Sequence, residues 1–321
     1  DGNNDDAQFE ALIKKINEMR IFQESSKIHE FLSLICSVSS FHYRSALFFE
    51  KFEKILSQFK NEIQQHFSSN SLFEIFKNNR RILLFFIEIN LITIDSELAQ
   101  KMVAFDEPSA SHPNSTNYVN FFQPELEPFL SADEKAKYLK GSIEDIETFK
   151  QKRRIGENDS QICAVIRNDS LDEFLELVKT NKYSLNREID DSIYETNPFF
   201  IKWAQYALPS FMQYAAYFGA KKIFSYIIQN EEEISDYIDL FGIHSGNREF
   251  VEMLEEEGFI CERDYYSCRN ESIKTHQNEL LEYFGNDRQL LSTAFESFNY
   301  YAIKHQCEKF AGAVPGMFPI I

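Results

Sequence analysis

The residues best suited to metal chemistry in this sequence are Cys261, Cys268 and His276. Thiolate and imidazole groups are the usual protein ligands of zinc, but structural zinc sites separate paired cysteines by only about two to four residues. Cys261 and Cys268 are seven positions apart, and Cys268 falls on a position that is predicted to face the interior of a helical repeat. The spacing therefore favours structural roles, and we expect no metal site.

The sequence also lacks the short motifs that carry catalysis in known enzymes. It has no glycine-rich phosphate loop, no Gly-x-Ser-x-Gly turn and no His-Glu-x-x-His pair. His244 and His276 lie in or beside a predicted turn, where an imidazole can form a hydrogen bond with the next helix pair. We therefore expect no enzymatic activity, no catalytic residue and no cofactor.

The composition excludes several classes of partner. The chain has 51 acidic and 33 basic residues, a net charge of −18, which disfavours nucleic acid and anionic membrane surfaces as partners. The most apolar stretch, Ile82–Ile94, is too short to span a bilayer. Five scattered cysteines, an odd number, are typical of the reducing cytosol. We expect a cytoplasmic protein with protein partners.

The first hundred residues have the pattern of packed helices. From Phe9 to Val103 there is neither proline nor glycine, and apolar residues recur at steps of three and four, which is the spacing of an amphipathic helix. Residues 1–103 are therefore predicted to form an N-terminal helical bundle.

Residues 104–128 differ in composition. This stretch contains half of the eight prolines, namely Pro108, Pro113, Pro124 and Pro128. Because proline interrupts helices, we predict a Pro-rich surface linker here, with helical structure resuming after it.

The second half of the sequence repeats itself. Gly219, Gly246 and His276 are interpreted as equivalent turn positions, 27 and 30 residues apart. Small residues lie four positions before each turn, and apolar residues follow it at helical spacing; the small residues are Ala215, Gly242 and Ser272. A small residue admits a neighbouring helix, and no pair can bury its apolar stripe alone, so the pairs are predicted to stack. Coincidental periodicity in an irregular helical protein is the alternative.

This repeat resembles the ankyrin repeat. Residues 214–219, Tyr-Ala-Ala-Tyr-Phe-Gly, match its Ala-Ala-x-x-Gly turn, and residues 254–258, Leu-Glu-Glu-Glu-Gly, match its Leu-Leu-x-x-Gly helix end. The ankyrin repeat is about 33 residues long, so these units are shorter. The resemblance implies an all-α fold, with a short ankyrin-like α-solenoid of helical repeats over residues 129–310 after the N-terminal helical bundle.

Segments spread over most of the chain are similar to a large trichomonad family of ankyrin-repeat proteins that carry a domain of unknown function. These segments are Leu34–Val38 with His42 and Arg44, Ile75–Phe85, Lys152–Ser160, Ile166–Phe174 and Glu195–Phe199. The resemblance implies a fold and brings no catalytic residues. It suggests the flagellar or other microtubule cytoskeleton as a location, with tubulin or axonemal proteins as partners.

Ankyrin-type packing points the residues five and two positions before each turn toward the concave side. The resulting partner-binding residues are Tyr214, Tyr217, Phe241, His244, Glu271 and Lys274. Exposed aromatic rings in adjacent repeats would form a binding hot spot. Alternatively, the N-terminal helices or the linker cover this face, and both interpretations stay open.

The C-terminal tail, residues 311–321, is apolar and contains glycine and proline, so we expect an extended segment. If ordered, it must dock into a groove on its own chain or on a neighbour, with Met317 and Phe318 as partner-binding residues.

Two acidic triplets, Glu231–Glu233 and Glu255–Glu257, are predicted near the ends of successive outer helices. A solvated surface that keeps the protein soluble is the favoured interpretation, and an acidic ridge for a basic partner is the alternative.

The predicted function is that of a non-enzymatic protein–protein interaction scaffold or a structural component of a larger assembly. The alternative is a regulatory subunit or inhibitor that masks a basic or apolar surface of an enzyme. A hydrolase with a dispersed site is a third class, which would need a concave cluster of titratable groups.

Overall fold

Every regular element in the described part of this computed structural model is a helix. The structure describes residues 2–41, 46–107, 117–204, 207–231, 233–285 and 288–311. Within these ranges there is no β-strand, and the one β-type pairing is an isolated bridge between Glu188 and Ser210. The predicted all-α fold class is therefore confirmed.

The α-helices are α1 (Gly2–Glu18), α2 (Ser25–Phe41), α3 (Ala46–Gln58), α4 (Lys60–His66), α5 (Ser69–Phe76), α6 (Arg80–Glu88), α7 (Ser96–Phe105), α8 (Tyr118–Phe121), α9 (Gln123–Leu126), α10 (Ala132–Tyr138), α11 (Ile146–Ile155), α12 (Gln161–Arg167), α13 (Leu171–Asn181), α14 (Pro198–Ala204), α15 (Phe211–Phe218), α16 (Lys221–Asn230), α17 (Ile238–His244), α18 (Arg248–Glu256), α19 (Tyr265–Lys274), α20 (Asn278–Phe284), α21 (Leu291–Glu296) and α22 (Tyr300–Ala311). Short 3₁₀ helices span Ile21–Gln23, Glu127–Phe129, Glu262–Asp264 and Arg288–Leu290.

The chain divides into two compact units that interleave along the sequence. The first unit combines Asp1–Asn158 with Ser192–Ala207, and the second combines Asp159–Asp191 with Leu208–Ile321. Residues 129–158, which were predicted to belong to the repeats, are thus part of the first unit.

The core of the first unit includes part of the predicted surface linker. Tyr118, Phe121, Phe122 and Leu126 are almost completely buried among the apolar residues of the preceding helices. Pro124 lies in the first turn of α9, where its missing N–H costs no helical hydrogen bond. Residues 117–126 are therefore largely core, because Pro124 begins a helix instead of ending one, whereas Pro128 is exposed as predicted for a surface linker. Residues 108–116 lie outside the described ranges.

The second unit is built from helix pairs that share one type of turn. The pairs are α12–α13, α15–α16, α17–α18, α19–α20 and α21–α22, and their turns contain Asp169, Gly219, Gly246, His276 and Phe298, each with a positive φ between 50° and 65°. In four of the five turns, the following residue donates its N–H to the carbonyl five positions earlier, as Ala220 does to Ala215. The three predicted turn positions are confirmed, and the structure adds two more.

The first helices of successive pairs contact one another in order. α12 contacts α15, α15 contacts α17, α17 contacts α19, and α19 contacts α21. At Gly242 in α17, a Cβ atom would lie 2.3 Å from Cδ1 of Leu254 in α18. A methyl group here would displace the Leu254 side chain, so glycine allows the close helix packing that the small-residue pattern predicts.

Candidate functional site

The predicted partner-binding residues lie two to a helix on α15, α17 and α19. Tyr214, Tyr217 and Phe241 are buried, with at most 3% of each residue exposed. The hydroxyl of Tyr214 accepts a hydrogen bond of 2.8 Å from Arg167 in α12, so this side chain links two helices. The exposed aromatic hot spot that was one of the two sequence interpretations is therefore not present. The three rings belong to the interior.

His244 joins three of these helices. Its imidazole stacks on the ring of Tyr217 in α15, with centroids 5.0 Å apart and an interplanar angle of 22°. On α19, Glu271 Oε1 lies 3.0 Å from His244 Nε2. The three residues are spaced 27 positions apart, so the sequence repeat corresponds to a physical register between parallel neighbouring helices. The predicted hydrogen bond from a histidine to the next pair is confirmed here.

The carboxylate of Glu271 is stabilised in its charged form. Burial alone would raise its pKa, but the hydrogen bond and charge of His244, together with the charge of Lys274, lower it to about 2. Lys274 Nζ lies 3.3 Å from Glu271 Oε2. The side chain of Lys274 is 40% exposed and that of Glu271 only 16%. Of these two predicted partner-binding residues, Lys274 is therefore the more accessible to a partner.

Met317 and Phe318, also predicted to bind a partner, lie outside the described residues.

The cysteines and the histidine first considered as zinc ligands have separate roles. Cys268 is fully buried, and burial raises the pKa of its thiol to about 12. The thiol of Cys261 donates to Asp264 Oδ2 at 2.9 Å, and His276 Nε2 bonds the carbonyl oxygen of Ser297 at 2.8 Å. No group of three or more potential metal-ligating side chains occurs in the described ranges. The side chains are thus used within the fold.

The glutamates of the acidic triplets are not all exposed, so they do not form a uniform acidic ridge. Glu255 accepts hydrogen bonds from the hydroxyls of Tyr265 and Tyr283, so its carboxylate ties α18 to the next helix pair. Glu256 and Glu257 are exposed, and Glu232 lies outside the described residues. The acidity of the chain is concentrated nearby: the second unit has 26 acidic and 13 basic residues, a net charge of −13, against −5 for the first unit.

Sequence reasoning missed the exposed apolar side chains around these helices. Ile234 and Tyr237 lie in the loop before α17, and Tyr266 lies in the first turn of α19; 46–57% of each is exposed. Phe295 and Tyr300, near the end of the second unit, are still more accessible on average. Neither the residue type nor the helical spacing of these apolar residues indicates that their side chains are exposed to solvent.

A second missed feature is a pocket of about 390 Å³ in the first unit. It is formed by α8, α9, the loop before α11, one face of α11 and residues 193–194. Its lining residues are Asn120, Gln123, Lys140, Gly141, Ser142, Ile143, Glu144, Asp145, Thr148, Phe149, Lys152, Ile193 and Tyr194. These positions are far apart in sequence, so no motif could have indicated the pocket.

None of the helices within the described ranges is both long and apolar enough to cross a membrane. Comparison of the chain with protein-family models, with curated proteins and with solved structures finds no match in any of the three.

Proposed function

We propose that the second unit is a short ankyrin-like solenoid, following an N-terminal helical bundle, and that the chain is a non-enzymatic protein-interaction scaffold or a structural component of a larger assembly. The observation that carries this proposal is the ordered contact of first helices along the five pairs, from α12 to α21. Repeat arrays of this kind bury a continuous core between neighbours and present an extended surface to partners.

The polar side chains along the first helices support a structural array rather than a catalytic centre. Arg167 bonds Tyr214, His244 bonds Glu271, and Thr293 bonds the side chain of Asn270 at 2.8 Å. Each of these bonds joins one helix pair to the next. These hydrogen bonds hold successive helix pairs in register. A scaffold built on such an array keeps its binding surfaces at a fixed spacing.

The proposed contact surface consists of the exposed side chains Ile234, Tyr237, Tyr266 and Lys274. Tyrosine is a frequent anchor in protein interfaces, and contiguous exposed apolar patches mark interaction sites. In the register set by His244 and Glu271, Tyr237 lies level with Asp264. Ile234, Tyr237 and Tyr266 therefore fall near the N-terminal ends of α17 and α19, whereas Lys274 lies at the C-terminal end of α19.

A second function is favoured by the charge of the second unit. With a net charge of −13, it is suited to a regulatory subunit or inhibitor that masks a basic surface of an enzyme. Association driven by charge weakens as salt is added, whereas association through buried apolar contacts does not.

The proposal is tested by isolating the native complex after crosslinking and by washing a parallel, uncrosslinked sample in about 1 M salt, where the screening length is only about 3 Å. A scaffold keeps its partners in this wash and loses them when Tyr237 and Tyr266 are changed to Ala. Lys221→Glu, an exposed change on α16, is the control and retains them. Loss of all partners in high salt, with no effect of the tyrosine changes, would favour the inhibitor instead.

Tubulin or axonemal proteins are the partners proposed from the family resemblance. Co-sedimentation of the purified chain with purified microtubules tests them directly. Retention of the chain in the supernatant at all microtubule concentrations would remove them from the proposal.

A further inference from the structure

The last helix pair, α21–α22, differs from the earlier pairs at one position of its first helix. Three residues before the turn, each of the four earlier pairs has a completely buried apolar side chain, whereas the last pair has Phe295, which is 53% exposed. The four buried residues are Ile166, Ala216, Ile243 and Ile273. Phe295 therefore has the residue type of a core position but not the burial of one.

The residue at this position packs on the next helix pair, as Ile273 shows. Ile273 belongs to one apolar cluster with Ala294 of α21 and Ala302 of α22. The side chain of Asn299 also donates to the carbonyl oxygen of Ile273 at 3.0 Å. No helix pair follows α22 within the described residues, so the surface around Phe295 lacks the kind of neighbour that covers Ile273.

Two tyrosines extend the exposed apolar surface to the start of α22. Tyr300 and Tyr301 are 70% and 40% exposed, and they lie two and three residues after the turn. The three preceding pairs have charged or amide side chains at these positions, namely Lys221 and Lys222, Arg248 and Glu249, and Asn278 and Glu279. A terminal repeat that faces water needs polar residues on its outer surface, and here aromatic rings replace them.

The interior of this pair contains a polar side chain without a hydrogen-bond partner. Gln306 is 1% exposed, and neither atom of its amide is paired. It lies eight residues after the turn, where the three preceding pairs have the buried residues Ile227, Leu254 and Phe284. A buried polar group without a partner costs about 1–3 kcal/mol. Each pair of a repeat array is stabilised by its neighbours, and among the described residues α21–α22 has a neighbouring pair on one side only. A second interface would therefore stabilise it.

The distribution of charge favours a second copy of the chain over a basic partner at this surface. Residues 288–321 carry three basic and two acidic side chains, a net charge of +1. The rest of the second unit, with 24 acidic and 10 basic side chains, carries −14. Two copies therefore repel each other over most of the second unit but not at its last helix pair. A basic partner, in contrast, gains no attraction from this near-neutral surface.

We propose that the last helix pair is the contact surface of a homodimer. Two copies related by a twofold axis place α21 against α21, so each copy supplies the helix that the other lacks beside Phe295. Tyr300 widens the contact at its edge. The inference is independent of the function proposed above, since a scaffold and an inhibitor can both act as dimers.

The test is sedimentation velocity of the full chain at rising concentration, in about 0.15 M and in about 1 M salt. We expect a dimer with a dissociation constant below about 100 µM, which persists in the higher salt because the contact is apolar. Phe295→Lys and Tyr300→Lys, made separately, should each raise the dissociation constant at least about tenfold. Both side chains are largely exposed, so both variants should fold, which circular dichroism checks. Ile155→Lys, at a residue of the first unit that is 60% exposed, is the matched control and should leave the dimer unchanged.

Residues 312–321, which lie outside the described residues, are an alternative occupant of this surface. A chain that ends at Ala311 should dimerise as the full chain does. Dimerisation only after this truncation would assign the surface to the C-terminal residues of the same chain, and loss of the dimer on truncation would assign the contact to those residues in the other copy. Either result would overturn the proposal. So would a monomer at all concentrations up to about 100 µM, or equal effects of Phe295→Lys and Ile155→Lys.

Discussion

The imidazole Nε2 of His276 lies 2.8 Å from the carbonyl oxygen of Ser297, which joins the turn of one helix pair to the end of the next first helix. A carbonyl oxygen only accepts, so this ring nitrogen must carry the hydrogen. Burial lowers the pKa of His276, although the bond to Ser297 acts in the opposite direction. The fold therefore prefers the neutral imidazole with its hydrogen on Nε2.

Acid should weaken the fold through His276. Because its pKa is lower in the folded than in the unfolded protein, the unfolded state binds more protons as the pH falls. The contribution is complete above the unfolded pKa of about 6.5 and is lost as the pH falls toward the folded value. We expect the free energy of unfolding, measured by urea denaturation, to decrease between about pH 7.5 and about pH 5.5. The decrease should be smaller in His276→Asn, since Asn tolerates the positive φ and donates without titrating.

Glu271 does not contribute to the change in the free energy of unfolding over this pH range. Its folded pKa of about 2 lies below the ordinary carboxylate value, so its contribution is present throughout the range and is lost only under stronger acid. An equal pH dependence in the unaltered protein and in His276→Asn would contradict the assignment to His276.

Close packing at Gly242 makes this position sensitive to added volume. In Gly242→Ala the new methyl group overlaps Leu254, which is fully buried, and overpacking outweighs the gain in helix propensity. We expect a net loss of about 1–2 kcal/mol in the free energy of unfolding. The same change in a Leu254→Val background should cost less, and a double-mutant cycle measures the difference. Glu256→Ala, on the exposed end of α18, is the control and should change stability by less than about 0.5 kcal/mol. Identical costs in both backgrounds would show that the two side chains do not compete for space.

The ion pair of Arg153 and Glu125 should dominate local stability in the first unit. The guanidinium is 3% exposed and binds both carboxylate oxygens, at 2.7 and 2.9 Å, and it also donates to the carbonyl oxygen of Phe121. Breaking a buried pair from one side costs about 3–5 kcal/mol, so we expect that loss for Arg153→Ala. Arg154→Ala, at a half-exposed neighbour, should cost about 1 kcal/mol or less. Similar values for the two variants in thermal denaturation would refute the buried role of Arg153.

Thiol labelling separates the two cysteines that resemble a metal pair. Cys268 is buried with its pKa raised to about 12, whereas Cys261 is partly exposed. We expect iodoacetamide at about pH 8 to modify Cys268 at least tenfold more slowly than Cys261 in the folded protein, and both at similar rates in urea. Mass spectrometry of the labelled peptides gives the two rates. Equal rates in the folded protein would mean that Cys268 is not in the interior.

Local sequence signals predicted much of the second unit. Gly219 and Gly246 mark turns because glycine adopts a positive φ without strain, and Gly242 marks close packing because no other residue lacks a Cβ. The turns at Asp169 and Phe298 have no such signal, since ordinary residues adopt the same backbone conformation there. They are recognised only when the hydrogen bonds are seen.

Burial and long-range contacts could not be predicted in the same way. Tyr214 and Tyr217 have the residue type of an interface anchor, but whether such a ring is covered depends on what packs against it. Residues 117–128 are rich in proline, and only the structure places Pro124 in the first turn of a helix. The pocket brings Gln123 to Lys152 and Tyr194 from separate segments, and a single sequence contains no signal for that meeting.

The interleaving of the two units has a consequence for synthesis on the ribosome. The strip Ser192–Ala207 completes the first unit, where the Thr196 hydroxyl bonds the carbonyl oxygen of Gly156 at 2.9 Å and the carbonyl of Glu195 receives Arg80. An emerging polypeptide has already delivered α12 and α13 before this strip leaves the exit tunnel. The helices of residues 1–158 therefore cannot complete the first unit until Ser192–Ala207 has been synthesised. A chain truncated after Asn158 would lack this segment.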